Sequence, residues 1–168
     1  WKDLSTSGLN EKINIVFDNK NSGTARYIKE RFLSSGNFPN NCFAMKSNPE
    51  VIDYVASHPN SLGFIGVSWI SDGDDEKSLN FLKKVKVVAV QSDNPGDMDF
   101  YKPYQAYIST LQYPLRRELY IVSREARMGL GTGFASFVAG DKGQRIILKS
   151  GLLPATMPVR IVGFRNNE

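Results

Sequence analysis

One cysteine and one histidine in 168 residues exclude more chemistry than any motif here suggests. A single thiol, Cys42, cannot build an internal disulfide framework or a cysteine-rich zinc site. His58 stands alone in "ASHPN", with nothing nearby to complete a metal site or a catalytic pair, and reads as a turn histidine at a helix end. No run approaches the ~18 apolar residues of a membrane span. The sequence also lacks a G-x-S-x-G elbow, an H-E-x-x-H zinc motif and an EF-hand loop. "GLGTG" at 129–133 lacks the third glycine of a dinucleotide fingerprint, because Phe134 follows, and no G-K-[ST] makes it a P-loop. It reads as a connecting loop.

Charge of one sign is also scarce. The balance of 21 Lys and Arg against 17 Asp and Glu leaves +4, scattered along the chain. That leans mildly toward anionic partners, whereas a nucleic-acid protein gathers its basic residues on one face or arm. What is present is a globular composition, 41% hydrophobic and 23% charged, long enough for one ordinary domain or two small lobes. The opening "WKDL", with no Met and no apolar leader, is the opening expected of a fragment or a processed product.

Strand and helix signals alternate, which predicts the α/β class. "INIVF" (13–17) has strand composition and ends in polar turn residues; Ser22 then caps a helix whose Ile28 and Phe32 share a buried face. Asn48, Pro49 and Glu50 start a second helix with Val51, Ile52 and Val55 on its apolar side, ending at His58. A strand is expected in "SLGFIGVSWI" (61–70), with Gly63 and Gly66 admitting another backbone. "SDGDDEKS" reads as a solvated loop, Asp74 and Asp75 being plain surface charge, and "VKVVAV" (85–90) as a strand before the turn-rich "QSDNPGDMD". Further on, residues 119–122 read as a buried strand entered through Pro114. A helix is expected in "FASFVAG", another over about 144–149 with Gly151 as its stop, and a last strand at 159–164.

One stretch holds binding chemistry. In "VFDNKNSGTARYIKERF", Ser22, Gly23 and Thr24 open the first helix. Alone, such a triplet is explained by a plain cap. Yet the first amides of a helix have no internal acceptor, and the macrodipole gives them partial positive charge. Gly23 lets an anion approach and two hydroxyls add donors, an arrangement suited to a tetrahedral oxyanion.

"WKDL", "INIVFDNKNSGTARYIKERF", "NPEVIDYVASHPNSLGFIGVSWI" and "YPLRRELYIVSREA...FASFVAGDKGQRIILKSGLLPA" occur in the order found in phosphate-binding proteins of ABC transporters, and the chain resembles that family over most of its length. The resemblance implies a type II periplasmic binding protein fold, two α/β lobes closing on a ligand. Residues 1–110 would be the second lobe, and 111–168 the crossover and the C-terminal part of the first lobe. The family's N-terminal segment would be missing, so the chain would hold half of a ligand site. The apolar strands at 119–122 and 159–164 would then need a second chain, a swapped partner or a rearranged packing.

The resemblance also names site residues. Ser22, Gly23 and Thr24 match the end of the family's Arg-x-x-x-Ser-Gly-Thr motif, but Asp18 stands where the arginine belongs. A carboxylate cannot make the bidentate contact of an arginine with phosphate. Two compensations stay open. Arg26 on the first helical turn reaches back to the pocket, or Asp18 accepts a proton from a protonated oxyanion or pairs with Lys20. The implied function is a solute-binding module rather than an enzyme. It would have no cofactor, phosphate or a related oxyanion as ligand, an ABC permease as partner, and a periplasmic or envelope-anchored location. The rival is a ligand-sensing or partner-binding domain of the same fold with no transport role.

Overall fold

The structure, a computed structural model, describes residues 12–33, 36–71 and 75–156. The chain divides into two compact units between Lys86 and Val87. In the first, strands β1 (Asn14–Phe17), β2 (Cys42–Ala44) and β3 (Ser61–Phe64) form a parallel sheet in the order β2-β1-β3. Helix α1 (Gly23–Phe32) joins β1 to β2, α2 (Asn48–Ser57) joins β2 to β3, and α3 (Glu76–Lys84) follows. The class is α/β, as the alternation predicts.

The central strand explains the sheet. A strand covered on both faces reads as an unbroken apolar run, and Ile15, Val16 and Phe17 are all buried. Ile15 and Phe17 cluster with Ala25 and Ile28 of α1, and the Phe17 ring lies 5.1 Å from Phe38 and 5.3 Å from Phe64. Val16 faces the other way and is in register with Gly63. On that face a Cβ at Gly63 would come within 2.7 Å of Val51 Cγ1 and 3.0 Å of Val55 Cγ2. The glycine therefore admits the side chains of α2, where the sequence suggested another backbone. Burial lifts the Cys42 thiol above its usual pKa, so the one cysteine stays protonated at neutral pH.

In the second unit, β4 (Val90–Gln91) and β5 (Phe100–Tyr101) form an antiparallel hairpin across the expected turn. Helix α4 (Gln105–Ser109) follows, and α5 (Leu130–Ala139) and α6 (Asp141–Lys149) pack as a helical pair. The stop at Gly151 is as expected. With φ 77° it lets Leu152 N–H donate to Ile147 O (3.2 Å) and its own N–H to Leu148 O (3.1 Å), a Schellman ending.

Several expectations are corrected. Phe32 is 44% exposed, so Ala25 and Ile28 form the buried side of α1. The strand after Asn60 stops at Phe64 and a 3-10 turn (Val67–Trp69) replaces its second half. The "SDGDDEKS" segment enters α3: Asp75 caps it, accepting from Ser78 N–H at 3.0 Å and Ser78 Oγ–H at 3.1 Å. Of residues 85–90 only Val90 pairs in a sheet, since strand composition without a neighbouring ladder makes no strand. "GLGTG" is largely the first turn of α5. Leu119, Tyr120, Ile121 and Val122 form no strand and lie 52–88% exposed. Among the described residues, no helix is long and apolar enough to cross a membrane. Residues 1–4 and the expected strand at 159–164 lie outside the described residues.

Candidate functional site

In a parallel sheet, ligands collect beyond the carboxyl ends of the strands, where connections leave a central strand in opposite directions. Here the chain leaves β1 through residues 18–22 toward β2 on one side, while β3 lies on the other. The candidate residues sit at this edge. Asp18 directly follows β1, and Ser22 is the N-cap of α1 with extended backbone (φ −65°, ψ 152°). Ser22 Oγ accepts from Ala25 N–H at 3.1 Å, which leaves its own hydroxyl proton available for donation.

Gly23 and Thr24 are the first two helical residues, and their amides have no acceptor among the described residues, as the start of a helix dictates. Gly23 is exposed and Thr24 half-buried. No acidic residue occupies the first turn of α1, so the positive end of its dipole is not answered from within the helix. Arg26 is exposed and makes no ion pair with Asp18 among the described residues, and neither does Lys20. Asp18, directly after β1, and the Ser22-Gly23-Thr24 turn at the start of α1 thus flank the same β1–α1 connection. The side chains of Arg26 and Lys20 are in solvent.

Asp18 is held from a direction the sequence did not reveal. Asn48 Nδ2 donates to its Oδ2 at 3.3 Å, and Asn48 Oδ1 accepts from Gly66 N–H at 3.3 Å. One amide thus ties the β1 exit, the start of α2 and the β3 exit together. Asp18 Oδ1 is buried with no hydrogen-bond partner. Asn48 is free for this bridge because the cap of α2 is Ser47, one residue earlier than expected; Ser47 Oγ accepts from Glu50 N–H at 3.4 Å. The signal was in "SNPE", a capping-box spacing that puts the cap on the serine. His58 is the C-cap of α2, its ring stacked on Tyr54 at 4.0 Å with Nδ1 2.9 Å from Tyr54 O, away from this edge in the sequence and in its bonding. Among the described residues, no three His, Cys, Asp or Glu side chains gather as a metal site.

The comparisons agree with this architecture. The model of the PBP superfamily domain matches residues 1–142. The phosphate-binding protein PstS of Borreliella burgdorferi is 28% identical over 161 residues, covering 91% of this chain and 52% of that relative. Its namesake in Pseudomonas aeruginosa is 24% identical over 167 residues, 96% of this chain and 47% of that one. The crystal structure of PstS from Borrelia burgdorferi superposes with a TM-score of 0.54 at 23% identity, covering 85% of this chain and 53% of the other, which shows a shared fold. The chain spans about half the length of the curated relatives it matches. It belongs to the PBP superfamily.

Proposed function

We propose that the chain is a solute-binding module that takes an oxyanion, phosphate first among candidates, at the start of α1. The observation that carries this is the pair of Gly23 and Thr24 amides, without an acceptor among the described residues, beside a Ser22 hydroxyl at the carboxyl edge of the sheet. Relatives named phosphate-binding proteins point to the same ligand. Ser22, Gly23 and Thr24 donate. Arg26, in solvent on the first turn, swings back to add charge when the anion arrives. Asp18 is the restraint: its carboxylate repels a fully ionised anion and accepts a proton from a protonated one.

In this reading residues 1–110 belong to the family's second lobe, and 111–168 to its crossover and the C-terminal part of its first. The ligand is captured by closure of two lobes at the cell envelope and handed to an ABC permease, with no chemical step. Asp18 also favours a second reading, a sensing or partner-binding domain of the same fold, because a carboxylate weakens the phosphate site without weakening the fold.

The test is an NMR titration of the backbone amides with phosphate, with sulfate and chloride as controls at constant ionic strength. Saturable, phosphate-selective shifts at residues 22–25 support the site. Shifts identical for all three anions sink it and favour the second reading.

A further inference from the structure

Residues 18–22 carry the chain from β1 to α1, and bonds among them fold the connection tightly. Asn21 N–H donates to Asn19 Oδ1 at 2.8 Å, and Ser22 N–H donates to Asn19 O at 3.2 Å. A connection closed on itself moves as a unit. Whatever holds Asp18 therefore also sets where the Ser22-Gly23-Thr24 turn stands. Asp18 is held by Asn48, whose side chain reaches on to the β3 exit.

We propose that Asn48 is a positioning residue of the anion site. Its amide fixes the β1–α1 connection against the β3 exit, and with it the donors of residues 22–24. The proposal rests on the oxyanion reading of that turn. Polarity gives the bridge one orientation. The Gly66 N–H can only donate, so the bond at 3.3 Å commits Asn48 Oδ1 to it. The amide nitrogen is a donor only and must then face Asp18, whose Oδ2 accepts at 3.3 Å.

An anion held by amides and hydroxyls binds well where those donors are fixed beforehand, since ordering them on arrival costs affinity. Asn48 supplies that order through Asp18. Its own helix does not depend on the bridge, because Ser47 caps α2 and accepts from Glu50 N–H. The effect of losing the bridge on binding is therefore separable from its effect on the fold.

The experiment is an NMR titration of the whole chain with inorganic phosphate, with sulfate as the control at constant ionic strength, read at the amides of residues 22–25. It compares the parent, Asn48→Ala, Asn48→Asp, and the swap that combines Asp18→Asn with Asn48→Asp. Urea unfolding of each checks the fold. Asn48→Ala keeps the cap and adds a good helix former, so stability should change little while phosphate affinity falls about three- to tenfold. Exchange of the Ser22 amide, measured without anion, should rise. Asn48→Asp still accepts from Gly66 N–H but sets a carboxylate against Asp18, and should bind more weakly again. The swap keeps the parent's net charge and both bonds, since a carboxylate at position 48 accepts from Gly66 with one oxygen and from an amide at position 18 with the other. It should recover at least the parent's affinity, and also the slow exchange at Ser22, which relief of charge alone does not restore. A parent without phosphate-selective shifts overturns the anion reading and this role with it. A parent that binds, with Asn48→Ala binding equally well, overturns the role alone. So does a swap that fails to restore both affinity and Ser22 exchange.

Discussion

The two units of this chain are held together by different means. Among the described residues, the buried large aliphatic and aromatic side chains lie in the first: Ile15, Val16, Phe17, Ile28, Val51 and Ile52. In the second, many large apolar residues face solvent, among them Met98, Phe100, Tyr104, Leu130, Phe134 and Phe137, while others such as Ile108, Ile147 and Leu148 are half-buried. Side-chain clasps on the backbone supplement this thinner apolar packing. Gln144 is buried, donating to Val138 O at 2.8 Å and accepting from Thr156 N–H at 3.1 Å. Gln105 donates to both Leu148 O and Leu152 O at 2.8 Å. Glu125 accepts from Gly131 N–H, Thr132 N–H and Thr132 Oγ1–H at 2.9, 2.8 and 3.0 Å. Apolar burial is non-directional and tolerant, whereas a clasp is lost with one atom. The first unit should therefore answer to volume, and the second to hydrogen-bond chemistry.

The largest expected effect tests that division directly. Ile52→Ala opens a cavity beneath α2 and should cost about 2–5 kcal/mol in urea unfolding. Val122→Ala, a truncation at a position 88% exposed, should stay within about 0.5 kcal/mol. Equal losses at the two sites would erase the contrast. Next comes Gln144→Leu, which keeps volume and removes both clasps. Two backbone groups are left without partners, at a cost of about 1–3 kcal/mol, read as faster amide exchange in α6. Unchanged exchange would mean that packing holds the second unit after all.

The same contrast decides how far the sequence could be read. The run at 13–17 announced a strand by its apolar, β-branched composition, and Ser22 announced its helix because a cap is a local event. At 119–122 the same apolar, β-branched texture gave the wrong answer. Composition records a strand's affinity for neighbours and not whether neighbours exist. Strand β2 was invisible because three residues carry no period, and α3 because its cap, Asp75, lay hidden in a charged run. Of the candidate site, the Ser22-Gly23-Thr24 turn and the odd carboxylate at Asp18 were legible. The Asn48 bridge was not, since it joins residues 30 and 18 positions apart through one side chain.

A smaller effect separates cap from site at α1. Ser22→Ala removes the bond to Ala25 N–H and should cost about 1 kcal/mol. Ser22→Asp keeps a good cap and places a negative charge where the anion would bind. It should hold the parent's stability and lose the phosphate-selective amide shifts. Retention of those shifts in Ser22→Asp would move any anion site away from this turn.

The smallest effect is acid sensitivity, and it belongs to the clasps. The amides of Gly131 and Thr132 hold the Glu125 carboxylate below its ordinary value of 4.5, the bond from the Thr132 hydroxyl adding to them. A depressed pKa in the folded chain means that the ionised form is the one the fold favours. This contribution is complete above pH 4.5 and is lost as the pH falls through the lower, folded value. Asp75 behaves alike at α3, lowered chiefly by the Ser78 amide. Glu125 is solvent-exposed, so its effect should be local: amide exchange at Gly131 and Thr132 rising below pH 4.5 while exchange in β1 holds steady. Glu125→Gln, with one acceptor oxygen and no charge, should show the fast exchange at every pH. If Glu125→Gln protects these amides as the parent does, the start of α5 is held by its own helix and the clasp is incidental.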